Sequence, residues 1–230
     1  MEQLPLNLAP APEPSLDNYV AGGNQAAVAT LRDLIDGSGP ERWVYLWGPA
    51  GSGRTHLLRA TGALASHHDR VVHWFGRDAS RPDDERFLLL IDDADQLDPV
   101  AQIAAFDLIN ETRQAGGCLL ASGRPLARDL ALRDDLRSRL AQCLNLALEA
   151  LSEAQARAAL ETQARSLGFA LDADLLEYLM SRAPRDMSTL MAILGAIDRR
   201  SLSLHRPLTV PLLRDVMREL IARSDSKAAR

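Results

Sequence analysis

The chain has 230 residues, of which 47% are hydrophobic and 25% are charged, as is typical of a folded globular protein. This length can bury a sizeable core, either in one large domain or in a large and a small domain. The net charge of −5 argues against a generic DNA-coating surface, because nonspecific DNA binding needs many contacts between basic side chains and phosphates. The N-terminus has neither the basic nor the long apolar segment of a signal peptide, and no apolar run approaches membrane-spanning length. We therefore expect a cytoplasmic protein.

The first 15 residues are predicted to form a flexible tail. Prolines at positions 10, 12 and 14 favour an extended linker over residues 9–16. The apolar peptide Gln3 to Leu8 precedes this linker. Leucines exposed near a free terminus reduce solubility unless something covers them. The peptide is therefore predicted either to dock on another protein or to fold back as an edge strand of a sheet.

Strands and helices alternate over residues 16–150. A first helix is predicted over 24–36, and strands are predicted near 43–47, 71–75, 87–91, 117–122 and 143–148. With helices between most strands, this α/β alternation predicts a parallel five-stranded sheet that has helices on both faces. The polar segment 76–86, which contains Pro82, is too irregular for a full crossover helix.

Residues 151–230 show helical patterns only. Helices are predicted over 152–167, 172–182, 186–200 and 209–222, with Ser152 and Asp172 as N-cap residues. The change of pattern predicts a small all-helical domain, with a boundary near 148–152.

A glycine-rich segment with the spacing of a phosphate-binding P-loop follows the first predicted strand. Its residues are Gly48, Pro49, Ala50, Gly51, Ser52, Gly53, Arg54 and Thr55. In such a loop the backbone N–H groups surround phosphate oxygens, the helix N-terminus adds partial positive charge, and the Thr55 hydroxyl is placed to hold Mg²⁺. The alternative is a glycine-rich turn that merely joins a strand to a helix.

Arg54 occupies the position where this pattern has lysine. A fork-shaped guanidinium cannot replace a compact ammonium between β and γ oxygens without a change in geometry. We therefore expect weak hydrolysis in this site. Arginine also supplies all but one of the 26 basic residues, so compositional drift is an alternative explanation for the exchange.

Two carboxylates, Asp92 and Asp93, end the buried strand near 87–91. Ligands bind at the carboxyl ends of parallel strands, which brings these acids to the side of the P-loop. Asp92 is predicted to hold Mg²⁺, and Asp93 to polarise an attacking water.

These residues resemble the AAA+ family, in the branch that contains the bacterial initiator DnaA and its shorter, Hda-type relatives. The resemblance covers nearly the whole chain and implies an AAA+ P-loop domain followed by a helical lid domain. It identifies Gly48 to Thr55 as Walker A and Leu89 to Asp93 as Walker B. It also implies that the segment Leu16 to Asn24 holds adenine, with Tyr19 and Val20 among the nucleotide-binding residues.

The resemblance also assigns roles outside these motifs. Ser138-Arg139 matches the box VII pair, which implies that Arg139 is an arginine finger acting in trans; without this match, a solvated ion pair would be the expected role. Arg185 matches the sensor 2 arginine that contacts nucleotide. Ser122 stands at the sensor 1 position, although Gly123 and Arg124 follow it where relatives carry an acidic residue.

A function in replication control is implied by the same resemblance. The chain would bind ADP (or ATP) with Mg²⁺, have weak or no ATPase activity of its own, and stimulate hydrolysis of DnaA-bound ATP, which prevents re-initiation. Its partners would be DnaA and the DNA polymerase III sliding clamp (the beta subunit), the latter held through Gln3, Leu4, Leu6 and Leu8.

No direct sequence-specific DNA binding is expected, because the chain ends soon after the lid, without room for the helix-turn-helix domain of DnaA. A homo-oligomer is compatible with this interpretation. The alternatives are an autonomous AAA+ ATPase of the helicase-loader or transposase-loader type and a scaffold that works without nucleotide.

Overall fold

The computed structural model describes residues 13–78, 81–183, 187–204 and 209–218. These residues fall into two compact units. The first comprises Pro14–Leu151, and the described residues from Ser152 onward belong to the second. Each unit has a buried apolar core of its own.

A sheet of five parallel strands forms the centre of the first unit. The strands are β1 (Trp43–Trp47), β2 (Val71–Trp74), β3 (Phe87–Ile91), β4 (Cys118–Gly123) and β5 (Leu144–Ala147). Their spatial order is β2-β3-β4-β1-β5. The strands β3 and β4 are buried along their whole length, which explains why they read as continuous apolar runs.

Four helices cover this sheet. They are α1 (Gln25–Asp36), α2 (Arg54–His67), α3 (Pro99–Gln114) and α4 (Asp134–Ala141). Side chains alternate along the strands between two separate cores. Residues of α1 and α2 pack with Leu88 and Leu90 on one face, whereas residues of α3 and α4 pack with Leu89 and Ile91 on the other. The predicted α/β fold with helices on both faces is therefore confirmed.

The connection between β2 and β3 contains no helix in its described residues, 75–78 and 81–86. Arg81 in this segment pairs with Glu111 of α3 at 2.7 Å. This exposed ion pair thus holds the connection to the C-terminal half of α3.

The second unit is helical throughout its described residues, apart from the connecting turns. It contains α5 (Glu153–Ser166), α6 (Ala173–Arg182), α7 (Met187–Leu204) and a helical stretch over 210–218. Ser152 caps α5 in a reciprocal pair with Gln155, and the Asp172 carboxylate accepts a hydrogen bond from the Leu175 N–H, so both predicted N-caps are confirmed. Helix α7 continues to Leu204, beyond the predicted end at residue 200. None of the helices in the described part of the chain is long and apolar enough to cross a bilayer.

Candidate functional site

The phosphate-loop candidate joins the end of β1 to the start of α2. Gly51 and Gly53 have φ angles of 81° and 88°, in the left-handed region that favours glycine. A Cβ added to Gly53 would lie 2.5 Å from the Tyr19 ring, and one added to Gly48 would lie 2.4 Å from the Leu148 carbonyl oxygen. The loop therefore needs glycine at positions 48 and 53. Position 53 requires it for backbone conformation and for space, and position 48 requires it for space.

The polar atoms of this loop fit a bound anion. Ser52 Oγ and Arg54 Nη1 are buried, and neither has a hydrogen-bond partner among the described residues. Buried polar groups almost always have partners, so these atoms identify a place where an acceptor such as a phosphate oxygen fits. The loop also opens α2, a helix of 14 residues without an acidic side chain in its first turn. Pro49, Ala50 and Gly51 are exposed at its tip, which leaves access to the loop from solvent.

The Arg54 side chain turns toward the acids that follow β3. Its exposed fraction is only 9%, and its Nη2 lies 3.5 Å from Asp93 Oδ1. Burial raises the pKa of Asp93, and the neighbouring Asp92 raises it further, while the Arg54 guanidinium opposes both effects. Asp93, predicted to polarise water, thus has Arg54 of the candidate phosphate loop as its ion-pair partner.

Asp92 and Ser122, predicted separately from sequence, meet at the carboxyl edge of the sheet. The Ser122 hydroxyl donates to Asp92 Oδ1 at 2.6 Å, and the Asp93 N–H donates to Ser122 Oγ at 3.2 Å. Ser122 is fully buried on β4, between the strand that ends in the acids and the strand that ends in the phosphate loop. The arrangement fixes the Asp92 carboxylate near the loop.

Tyr19 contacts the phosphate loop directly. Its hydroxyl donates to the Ser52 carbonyl oxygen at 2.9 Å, and its ring lies against Gly53. Val20 beside it and Thr55 in the first turn of α2 are both partly buried. The structure therefore brings Tyr19 to the loop; the role in holding adenine that the resemblance implies for its segment stays a prediction.

Asn24 is a residue of this region to which sequence reasoning assigned no role of its own. Its exposed fraction is 4%, and its side-chain amide bonds both Tyr19 and the backbone of Glu149. The signal in the sequence was an asparagine directly after the glycine pair Gly22-Gly23, before the first helix. Its partner, however, is 125 positions away, and no local pattern reveals such a contact.

Arg139 lies in the last turn of α4 and is partly buried. Its acidic neighbours on the helix form ion pairs with other arginines: Asp134 pairs with Arg137, and Asp135 pairs with Arg133, each at 2.7 Å. The Arg139 guanidinium forms no ion pair or side-chain hydrogen bond with any of the described residues. It is therefore a cation with no counter-ion in the described part of its own chain.

The topology carries Arg139 away from the phosphate loop of its own chain. Because β4 and β5 are parallel, the chain must return across the sheet between them, and α4 makes that return. Arg139 shortly precedes Leu144, which pairs with Val44 near the start of β1, whereas the phosphate loop follows the other end of β1. The strand between these ends spans about 13 Å at 3.3 Å per residue. Arg139 thus lies toward the amino-terminal ends of the strands, whereas the phosphate loop lies at their carboxyl-terminal ends.

Several predicted site residues fall outside the described residues. They are Arg185 and the docking-peptide residues Gln3, Leu4, Leu6 and Leu8. Within the described ranges, no group of three or more His, Cys, Asp or Glu side chains could hold a metal ion. A Mg²⁺ held by Thr55 and Asp92 would therefore take its remaining ligands from phosphate oxygens and water.

Comparison with known proteins finds a family match for the second unit and a shared fold for the chain. Residues 153–217 match the family model described as Hda, lid domain. The fold matches domain III of the replication initiation protein DnaA from Thermotoga maritima with a TM-score of 0.69 and 19% identity, covering 94% of this chain and 98% of that one.

Two longer structures also share the fold. AMPPCP-bound DnaA from Aquifex aeolicus matches with a TM-score of 0.64 and 20% identity, over 84% of this chain and 67% of that one. A DNA replication initiation factor matches with a TM-score of 0.62 and 19% identity, over 84% of this chain and 66% of that one. The chain therefore spans about two thirds of the length of these two initiator structures. It shares the fold of the DnaA structures, and its residues 153–217 match the Hda lid-domain family.

Proposed function

We propose that this chain binds a nucleoside di- or triphosphate and regulates the initiator DnaA by stimulating hydrolysis of DnaA-bound ATP. The observation that carries the proposal is the position of Arg139. This cation has no counter-ion among the described residues, and it lies toward the strand ends opposite to those that lead into its own phosphate loop. A guanidinium so placed is available to a site on another molecule. The resemblance to DnaA-type AAA+ proteins supplies that site.

In its own site the chain holds the nucleotide. Backbone N–H groups of the phosphate loop, the Ser52 hydroxyl and the Arg54 guanidinium would bind phosphate oxygens. A Mg²⁺ bound to Thr55 and Asp92 would neutralise phosphate charge. Arg185 would add a contact from the lid. We propose that ADP in this site fixes the two domains in one arrangement and so prepares the chain to act on its partner.

Hydrolysis in the chain's own site is expected to be weak. Asp93 is the acid predicted to polarise the attacking water. However, Arg54 Nη2 lies 3.5 Å from Asp93 Oδ1, and the guanidinium charge favours a fixed ion pair with this carboxylate. Purified chain with ATP and Mg²⁺ should therefore release phosphate at a rate close to the buffer background, as measured in a coupled phosphate assay. Brisk turnover by the isolated chain would instead support the autonomous ATPase of the loader type.

In the partner's site Arg139 would act on the reacting phosphoryl group. The transition state of phosphoryl transfer spreads negative charge over the transferred group, and a guanidinium at hydrogen-bond distance stabilises that charge. The site's own DnaA residues orient the water and the metal. Hydrolysis leaves DnaA in its ADP form, which limits re-initiation.

The N-terminal peptide is proposed to hold the chain on the sliding clamp through Gln3, Leu4, Leu6 and Leu8. Binding to a DNA-loaded clamp raises the effective concentration of Arg139 near DnaA. Removal of residues 1–8 should abolish retention of the chain on immobilised clamp while the thermal shift produced by ADP stays unchanged. Replacement of Pro10 and Pro12 by alanine is the matched control, and it should leave retention intact.

The central test of the function is the hydrolysis of DnaA-bound radiolabelled ATP, followed with and without the chain and DNA-loaded clamp. Faster conversion to ADP only when both are present is the expected result. A chain that leaves the nucleotide on DnaA unchanged would overturn the proposed function. Retention on the clamp after loss of residues 1–8 would overturn the docking assignment alone and favour the edge-strand alternative for this peptide.

A further inference from the structure

Asn24 joins two distant parts of the first unit. Its Nδ2 donates to the Tyr19 hydroxyl and to the Glu149 carbonyl oxygen, each at 2.9 Å. Its Oδ1 accepts a hydrogen bond from the Glu149 N–H, also at 2.9 Å. Both amide hydrogens and the amide oxygen are used, so the orientation of this buried side chain is fixed by its partners.

Tyr19 continues this connection to the phosphate loop. Its hydroxyl accepts the hydrogen bond from Asn24 and donates one to the Ser52 carbonyl oxygen. In a trans peptide the C=O and the following N–H point in opposite directions. The peptide that turns its Ser52 oxygen to Tyr19 therefore turns its Gly53 N–H the other way. Tyr19 thus sets the direction of an N–H group that belongs to the phosphate-binding loop.

The Tyr19 hydroxyl keeps its proton at neutral pH. Burial raises its pKa above the ordinary value, and the hydrogen bond from Asn24 only partly offsets this effect. The neutral phenol is the form that can donate to Ser52. The direction of the hydrogen bonds from Asn24 to Tyr19 to Ser52 is therefore well defined.

Glu149 lies where the chain leaves the first unit. It follows β5 directly after Leu148, whose N–H donates to the Trp47 carbonyl oxygen at 2.7 Å, at the end of β1. Leu151 is the last residue of the unit. The exit segment, residues 148–151, is therefore tied on one side to the strand that leads into the phosphate loop, and on the other side to Asn24.

We propose that Tyr19 and Asn24 are positioning residues of the nucleotide site, which link the conformation of the phosphate loop to the exit segment. The inference rests on the proposed binding of a nucleoside diphosphate in the loop. A phosphate that fixes the Gly53 N–H also fixes the Ser52 carbonyl, and hence Tyr19, Asn24 and Glu149. Binding of nucleotide thereby orders the segment that leads to the lid domain.

Hydrogen exchange of the full chain, followed by mass spectrometry with and without saturating ADP, tests this link. In the wild type, ADP should slow exchange of the backbone amides in the exit segment. The variant Tyr19→Phe keeps the ring against Gly53 and loses only the hydroxyl. Its Kd for ADP should rise about 2- to 10-fold, as loss of one hydrogen bond predicts. At saturating ADP it should lack the slower exchange at 148–151.

Tyr45→Phe is the matched control. It also removes a buried phenol that donates to a backbone carbonyl, that of Pro125 at 3.1 Å, but it does not belong to the connection through Asn24. The control should keep the slower exchange with ADP. A second variant, Asn24→Ala, should speed exchange of the Glu149 amide with and without ADP; if it does not fold, Tyr19→Phe decides alone.

The possible failures are distinguishable. If ADP raises the wild-type melting temperature but leaves exchange at 148–151 unchanged, the link is wrong and the nucleotide site stands. The link is likewise wrong if Tyr19→Phe at saturating ADP keeps the wild-type protection. If ADP gives neither a thermal shift nor a change in exchange, the proposed nucleotide site fails and the link fails with it.

Discussion

Replacement of Arg139 by alanine is expected to abolish the stimulated hydrolysis of DnaA-bound ATP while binding of nucleotide to the chain itself persists. An arginine supplied in trans to a phosphoryl-transfer site contributes about 10³- to 10⁵-fold to the rate. Its loss should return the DnaA-bound nucleotide to its unstimulated rate. The measurement is the single-turnover conversion of DnaA-bound ATP to ADP at saturating clamp and chain.

The fold should tolerate this substitution. Arg139 forms no ion pair within the described ranges, and the contact that it makes with Cys143 uses its backbone oxygen, which alanine retains. Arg137→Ala is the matched control, because this arginine lies on the same helix and makes only local contacts: its exposed pair with Asp134 and a long hydrogen bond of 3.4 Å to the Leu132 carbonyl oxygen. Exposed pairs contribute about 0.2–1 kcal/mol to stability, so the control should keep full stimulation and nearly the same melting temperature.

Arg139→Lys separates the need for positive charge from the need for the guanidinium. A lysine keeps the charge but lacks the planar set of donors that can bond several phosphate oxygens at once. We expect it to restore only a small part of the stimulation. Full stimulation by Arg139→Ala would rule out the finger assignment, whatever the lysine variant does.

The layered fold could be predicted because its signals are local. Strands buried on both faces, such as Phe87–Ile91, read as unbroken apolar runs, and the phosphate loop has a fixed spacing directly after one of them. Caps such as Ser152 act within one helical turn, so they too are visible in a single stretch of sequence.

The connections within the site could not be predicted, because they join residues far apart in the chain. The pairing of Arg54 with Asp93 depends on the distance between two strand ends. The hydrogen bonds between Asn24 and Glu149 depend on where the chain returns after β5. Tyr19 was predicted among the nucleotide-binding residues, and its contacts with the backbone of the loop could be seen only in the coordinates.

A second large effect is expected at Gly53. ADP at about 100 times its Kd should stabilise the wild-type chain by about 2.7 kcal/mol, because it binds only the folded state. For a chain of this size that corresponds to a rise of about 5 to 10 °C in melting temperature. The variant Gly53→Ala should lose most of this rise. The measurement is thermal unfolding with and without ADP, each variant being compared with its own nucleotide-free form.

The reason lies in the two constraints on this position. At a φ of 88° an alanine is strained by about 1–2 kcal/mol, and its Cβ would lie 2.5 Å from the Tyr19 ring. Either Tyr19 moves, which frees the Ser52 carbonyl, or the loop moves and its N–H groups turn away from the phosphates. Both responses weaken binding of the nucleotide.

Gly37→Ala distinguishes loss of the site from general destabilisation. Gly37 caps α1 with a φ of 70°, and no described atom lies within 4 Å of a Cβ built there. Alanine at this position carries the backbone strain of Gly53→Ala without its collision, so it should lower the nucleotide-free melting temperature yet keep the full rise with ADP. If both variants keep that rise, the loop does not hold the phosphates, and the scaffold that works without nucleotide becomes the better account. If only Gly53→Ala loses it, the loop that contains Gly53 is part of the binding site.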